Sequence, residues 1–343
     1  MIYYTLFYLV LNALIAFDKI VKGKAGLYAL LVVSFLFSAL RYDAGYDYFN
    51  YLGLILYETG FAIERVEYFN RLIISISREL NFPQFFFIVS SLLYVLFMAK
   101  GLMENKALNA LSVSIFLLYV GCYLASFDII RQMVAAAIIF YGATVFFKKK
   151  YMLGCACYLF GMGFHKSSII FFFIIAVAFL FRKKQNLLCY VLILIASSLS
   201  TQLLVNMLER FGFYYHYIEA GGSETGGKIY LLVLLSLLML YFLARVVRVE
   251  SEAFWRAFNL FFVGVALYTA LIPFGYFVTR ITYYFFPWFA VAFGLLYQES
   301  AVNKRVVFVS GYTLSSMTFF AMLYVSMGDP RNPLLNYSFY FMD

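Results

Sequence analysis

Long apolar runs, separated by short charged or glycine-containing stretches, dominate the chain. A helix needs about 20 mainly apolar residues to cross a bilayer, and runs slightly shorter than this can still span. The runs predict a polytopic all-α transmembrane bundle of about 12 helices, with residues 1–343 forming a single transmembrane domain. The predicted spans are residues 2–17, 25–40, 83–103, 107–126, 129–147, 151–164, 167–181, 186–206, 229–247, 257–272, 280–298 and 305–326.

Two longer polar segments interrupt this pattern. In residues 41–82, apolar positions between 66 and 80 recur at helical spacing opposite charged ones. That arrangement predicts amphipathic helices lying in the membrane interface. Residues 207–228 end in a glycine-rich run, which predicts a flexible loop able to cover a site.

The short runs 151–164 and 167–181 predict two helices that meet at His165 and Lys166. One broken helix is the alternative, and it would reverse the membrane orientation of everything that follows. The charges favour two helices. With an extracytoplasmic N-terminus, the inner loops then hold 16 of the 26 basic residues and only five of the 17 acidic ones, as the positive-inside rule requires. The C-terminus and the two longer polar segments, 41–82 and 207–228, are then predicted to be extracytoplasmic as well.

Composition supports a membrane location. The chain is 65% hydrophobic and 13% charged, whereas soluble domains have roughly 45–50% apolar and about 25% charged residues. The net charge of +9 follows from the inner loops, so it does not indicate a nucleic-acid partner. Cys155 and Cys157 are two residues apart in an apolar run and should face different sides of a helix, which disfavours a disulfide or a metal pair.

Four polar clusters fall at the outer ends of predicted spans, where ionisable groups are costly and tend to be functional. They are Arg41-Tyr42-Asp43-Ala44-Gly45-Tyr46-Asp47-Tyr48, Asp128-Ile129-Ile130-Arg131-Gln132, Phe164-His165-Lys166-Ser167-Ser168 and Arg280-Ile281-Thr282-Tyr283-Tyr284. Each also has a structural interpretation: an interfacial salt bridge between Arg41 and Asp43, a helix cap by Asp128, a buried structural histidine, and an interfacial tyrosine belt.

Arg131 and Arg280 are less easily explained as structural residues. Each is expected near the start of a helix, where the helix dipole disfavours positive charge. A bound phosphate would remove that mismatch, because helix N-termini and arginine side chains both bind phosphate oxygens. Eight of the ten outer basic residues are Arg, whereas 11 of the 16 inner ones are Lys. These residues predict recognition of a pyrophosphate at the outer face.

The clusters also resemble a known family, the EpsG-like branch of the Wzy-type polymerases of O-antigen and exopolysaccharide. The resemblance is carried, in order along the chain, by Arg41-x-x-x-Gly45-x-Asp47-Tyr48-x-x-Tyr51, Arg131-Gln132 with Ala135, Phe164-His165-x-Ser167, and Arg280 with Tyr283. Tyr46 departs from the pattern, which has a small residue at that position.

The resemblance implies a membrane glycosyltransferase of GT-C-like fold in the bacterial inner membrane, with its site facing the periplasm or cell exterior. It would join oligosaccharide repeat units carried on undecaprenyl pyrophosphate, without cofactor or metal, beside a chain-length-regulating membrane protein. The expected catalytic residues are Asp47, His165 and Asp43. The expected pyrophosphate- and sugar-binding residues are Arg41, Arg131, Gln132, Lys166, Arg280, Tyr283 and Tyr48.

Three other functions use similar polar residues on a helical bundle. An O-antigen ligase would take the same donor to a different acceptor, and the order of the motifs favours the polymerase. A membrane acyltransferase should place its histidine deeper or on the inner side. A flippase or other transporter of lipid-linked sugar should line a central cavity with charge, whereas these charges cluster at one face.

Overall fold

The computed structural model describes residues 1–21, 23–57, 63–211, 225–300, 303–327 and 333–342. Its helices are α1 (Ile2–Val21), α2 (Ala25–Ala39), α3 (Tyr48–Leu56), α4 (Tyr68–Glu79), α5 (Gln84–Glu104), α6 (Ala110–Leu118), α7 (Ala125–Asp128), α8 (Ile130–Phe147), α9 (Tyr151–Phe164), α10 (Ile170–Leu180), α11 (Leu187–Phe211), α12 (Thr225–Val247), α13 (Glu252–Leu271), α14 (Tyr276–Thr279), α15 (Pro287–Glu299) and α16 (Lys304–Met327). 3₁₀ turns lie at Lys166–Ile169, Ile272–Phe274, Arg280–Tyr284 and Pro333–Asn336, and two short strands, β1 (Arg41–Tyr42) and β2 (Ser338–Phe339), form a small sheet. Most of the predicted flexible loop, 207–228, lies outside the described residues.

Six of the described helices are long and apolar enough to cross a membrane, namely Ile2–Val21, Gln84–Glu104, Ile130–Phe147, Ile229–Val247, Glu252–Phe274 and Lys304–Met327. Four shorter apolar helices accompany them, at Ala25–Ala39, Tyr151–Phe164, Lys166–Leu180 and Leu187–Thr201. A multi-pass helical membrane protein is therefore confirmed. Twelve spans and a GT-C-like arrangement stay predictions.

The predicted span 107–126 was wrong as a continuous helix. Helix α6 ends at Leu118, and Gly121 takes a positive φ of 70°. A Cβ at Gly121 would lie 2.3 Å from the ring of Phe286, so the chain turns where only glycine fits. The Thr318 hydroxyl accepts from the backbone N–H of Val120 and donates to the carbonyl of Leu118, which satisfies the interrupted helix end.

The predicted span 280–298 was also wrong at its start. Residues Arg280–Tyr284 form a 3₁₀ turn, and the helix α15 begins only at Pro287. Proline favours the first helical turn because it has no backbone N–H to satisfy there. Arg280 therefore lies in a turn ahead of the helix.

The centre of the bundle is formed by α8 and α15, both of which are buried along most of their length. Helix α8 packs between α5 and α9, while α15 packs on α6 and α13. The rings of Phe140 and Trp288 meet edge to face at 5.0 Å across this core. The residues at the first turn of α8 thus belong to a helix that is packed on several sides.

Residues 151–180 form two helices running in opposite directions. The ring of Tyr158 lies 5.7 Å from that of Phe171 and 4.7 Å from that of Phe172, centroid to centroid. In one continuous helix these residues would be about 20 Å apart at 1.5 Å per residue. The chain therefore reverses at His165, as the charge distribution predicted.

The two ends of the bundle carry different polar groups. At one end, β1 pairs antiparallel with β2, and the Tyr4 hydroxyl donates to the carbonyl of Leu334 at 2.6 Å. This end therefore holds the start of α1, the end of α2 and residues 333–342. At the other end, Glu104 pairs with Lys148 and Lys150.

Candidate functional site

The loop after α2 and the start of α8 are joined by two reciprocal hydrogen bonds. Asp47 Oδ2 accepts from the backbone N–H of Ile130 at 3.0 Å, and Asp128 Oδ1 accepts from the backbone N–H of Tyr46 at 3.3 Å. The expectation that Asp128 caps α8 was wrong: Asp47, from a distant part of the sequence, binds the first N–H of that helix. Two of the predicted clusters are thus one structural unit.

Gly45 makes this junction possible. Its φ is +93°, and a Cβ there would lie 2.1 Å from the carbonyl oxygen of Phe127. Residues other than glycine are therefore excluded at position 45 by both the backbone conformation and the close approach of Phe127. Gly45 thus allows the loop after α2 to approach the residues before α8 closely.

Arg41 is fully buried, with 1% of its side chain exposed. Its Nη1 donates to the carbonyl and hydroxyl of Ser38, and its guanidinium lies 4.7 Å from the ring of Phe127 and 5.3 Å from that of Phe87. The expected salt bridge between Arg41 and Asp43 does not form. As placed, Arg41 has almost no surface to offer a substrate, and it stabilises the junction through cation–π contacts.

Asp43 and Tyr48 also contact neighbouring segments of the chain. Asp43 has a positive φ of 48°, and its Oδ2 accepts from the side-chain amide of Asn336 at 3.0 Å, in the C-terminal segment. Tyr48 is fully buried, stacks on Phe87 at 4.4 Å and donates its hydroxyl proton to Gln84.

Arg131 points toward the segment before α4. Its Nη1 lies 2.5 Å from Oε2 of Glu67, and the other carboxylate oxygen of Glu67 accepts from the backbone N–H of Lys166 at 3.4 Å. The Lys166 side chain is exposed. Glu67 thereby links the second and third clusters.

His165 lies at the reversal between α9 and α10. Its Nδ1 accepts from the backbone N–H of Ser167 at 3.2 Å and contacts the Ser167 hydroxyl at 2.6 Å. Because the N–H can only donate, Nδ1 must be the acceptor, and the proton of the neutral ring is assigned to Nε2. Burial lowers the pKa of His165, although nearby Glu67 raises it. The neutral ring therefore presents an N–H donor and no second acceptor.

Arg280 is joined to α8 through its backbone. The side-chain amide of Gln132 donates to the Arg280 carbonyl at 3.1 Å, which fixes the 3₁₀ turn beside Arg131. The hydroxyl of Tyr284, in the same turn, lies 2.8 Å from that of Ser167. Tyr283, by contrast, is buried against Phe286 and the Gly121 turn.

Opposite charges concentrate where these segments meet. Burial raises the pKa of Asp47 to about 6, and the neighbouring Arg280 is the strongest influence lowering it. Burial likewise raises the pKa of Asp128 to about 7, which the Tyr46 N–H lowers and the charge of Asp47 raises. Desolvated carboxylates beside guanidinium groups in one cluster are typical of functional sites.

The family model described as the EpsG family matches residues 24–339, which spans all four clusters. The chain belongs to the EpsG family. This confirms the family expected from the motifs, and membership indicates a polysaccharide polymerase-like function. The search of curated proteins and that of solved structures found no match.

Sequence reasoning missed two contributors to the site of this EpsG-family chain. Glu67 is one of the charged residues in the predicted amphipathic segment 41–82, yet it pairs with Arg131. Tyr284 was counted in the interfacial belt, yet it is buried and contacts Ser167. Its place inside the motif that contains Arg280 was an available signal. For Glu67, the sequence held no signal beyond its place in the polar segment 41–82.

Proposed function

We propose that this chain is a polysaccharide polymerase that joins oligosaccharide units carried on undecaprenyl pyrophosphate at the outer face of the bacterial inner membrane. The observation that carries the proposal is the meeting of Arg131, Arg280, Asp47 and His165 at one end of the bundle, from four separate parts of the sequence. The family supports polymerisation, and the charges support a lipid-linked pyrophosphate as donor.

Arg131 and Arg280 would bind the donor pyrophosphate. Their planar guanidinium groups suit paired phosphate oxygens, and they would neutralise the charge that builds up as the pyrophosphate leaves. The Gln132 amide fixes the turn that carries Arg280. Lys166, with its exposed side chain, and the Nε2–H of His165 are further donors within the same cluster.

Asp47 would act as the general base. A hydroxyl of the acceptor sugar attacks the anomeric carbon of the donor, the bond from that carbon to the pyrophosphate oxygen breaks, and Asp47 takes the hydroxyl proton. A pKa of about 6 leaves the carboxylate largely ionised at pH 7 and more basic than an ordinary aspartate. His165 is less suited to this step, because its Nδ1 already accepts from Ser167.

The test is an assay with purified enzyme and lipid-linked repeat units, scored by the ladder of polymer lengths. Arg131→Lys and Arg280→Lys keep the charge and lose the planar guanidinium group that can bind two oxygens. Each should therefore reduce polymer formation on the order of 10²-fold. Asp47→Asn should still bind the donor and extend it poorly. Full ladders from both arginine variants would refute the pyrophosphate site, and a single addition without a ladder would favour the ligase.

A further inference from the structure

The carboxylate of Glu67 binds hydrogen-bond donors that the proposed substrate would need. One of its oxygens lies 2.5 Å from Nη1 of Arg131, and the other accepts from the Lys166 backbone N–H. A guanidinium and a backbone N–H are the groups that bind phosphate oxygens in proteins. The side chain of Glu67 is only 10% exposed, whereas that of Arg131 is 28% exposed, so a ligand reaching this arginine meets the acid as well.

The helix that follows Glu67 is anchored independently of this ion pair. The Asn70 side-chain amide donates to the Phe164 carbonyl at 2.8 Å. Phe69 packs against Gly163, where a Cβ would lie 2.2 Å from the ring. Glu67 itself has extended backbone before α4, and its side chain makes no capping bond to that helix. Its carboxylate can therefore rotate away while α4 stays in place.

Charge makes that rotation necessary when a pyrophosphate enters. The cluster already contains the carboxylates of Glu67, Asp47 and Asp128, while Arg41 is turned into the core. A pyrophosphate on Arg131 would place at least two further negative charges beside Glu67. Like charges this close repel strongly where water is largely excluded.

We propose that Glu67 is the internal anion of the pyrophosphate site: it orients Arg131 when no donor is present and is displaced by the incoming pyrophosphate. This inference rests on the proposed function of the same site. Glu67 is a positioning residue, and after the transfer its carboxylate competes with the pyrophosphate product for Arg131. It therefore weakens binding of donor and product alike and promotes release.

Binding of inorganic pyrophosphate to the purified protein, measured by titration calorimetry, tests the proposal. Glu67→Gln removes the competing charge and keeps a hydrogen-bonding group, so it should tighten binding on the order of tenfold. Glu64→Gln makes the same change on an exposed residue three positions earlier and should bind as the wild type does. In the polymer assay, Glu67→Gln should lower both KM for the donor and kcat, because product leaves more slowly.

The outcomes separate the inference from the function on which it rests. Unchanged or weaker pyrophosphate binding by Glu67→Gln, with wild-type binding lost in Arg131→Lys, would overturn the role of Glu67 and leave the anion site standing. Absence of pyrophosphate binding in the wild type and in every variant would overturn both. If Glu67→Gln does not fold, Glu67→Asp retains the charge one methylene further from Arg131 and should still tighten binding, by a smaller factor; no tightening there would also overturn the inference.

Discussion

Asp47 and Asp128 hold carboxylates in surroundings that favour the protonated form more than water does. Each accepts one backbone hydrogen bond across the junction between the loop after α2 and the start of α8. These bonds stabilise the charged form, but burial outweighs them in both residues. The charge of Asp47 also raises the pKa of Asp128, so this acid is sensitive to pH near neutrality.

Replacing Asp128 should therefore alter how stability depends on pH. With a folded-state pKa of about 7 against an unfolded value of 3.8, the native state binds more protons than the unfolded one between these values. Stability should fall as pH rises through that window. Asp128→Asn cannot ionise and keeps an oxygen for the Tyr46 N–H. Between pH 4 and pH 8 in detergent, the melting temperature of this variant should fall less than that of the wild type. The difference between the two falls should be on the order of 5 °C.

The exposed Glu64→Gln variant is the control for this measurement and should follow the wild-type profile. Parallel profiles for Asp128→Asn and the wild type would mean that the carboxylate is well solvated.

The polar clusters that meet at one end of the bundle were predictable from the sequence, but their contacts were not. Charge near an apolar span is costly, so four clusters of polar residues stood out in the sequence, and the structure joins them through hydrogen bonds. The assignment of Asp128 as a helix cap failed, since neighbours along the chain were assumed to be partners. In the structure the partners of Asp128 and Asp47 lie 82 or 83 positions away, a distance that no local pattern encodes.

Among the elements, the junction at Gly45 is the one most sensitive to a small change. Gly45→Ala would force a side chain onto a φ of +93° and against the Phe127 carbonyl, so we expect destabilisation by about 2 kcal/mol or more. Gly53 lies within α3 with open space around it, and Gly53→Ala should stabilise by up to about 1 kcal/mol. Thermal unfolding of both variants in detergent gives the comparison.

Loss of polymer formation should accompany the loss of stability in Gly45→Ala alone, because Asp47 sits two residues beyond it. Equal behaviour of the two glycine variants would contradict the close contact with Phe127.

Helices were predictable where hydrophobicity and length agreed, as in α1, α8 and α16. They were not predictable where an apolar run contains a turn. The run 107–126 stays apolar through the break at Gly121, because the turn is buried against aromatic rings and Thr318. Hydropathy indicates burial but carries no information about the direction of the backbone. The same limit applies to Arg280–Tyr284, an apolar-flanked 3₁₀ turn.

At the scale of the whole molecule, the reversal at His165 controls which groups share a membrane face. Helix α9 packs back along α8, which brings His165 to the end that holds Arg131, and the chain then reverses into α10. Lys148 and Lys150 lie at the far end of the bundle with Glu104. The arginine-rich end and the lysine-rich end are thus opposite. The positive-inside rule then predicts that the lysine-rich end faces the cytoplasm.

Labelling with a membrane-impermeant maleimide tests that orientation on intact cells. In a background with the four native cysteines replaced, Glu64→Cys should react from outside, whereas Lys149→Cys should react only after the membrane is opened. Both positions are exposed, so a difference in reactivity reports the side of the membrane and not burial. The reverse result would place the arginine cluster in the cytoplasm, where nucleotide-linked sugars are available. A lipid-linked donor would then lose its main support, even though the geometry of the cluster would be unchanged.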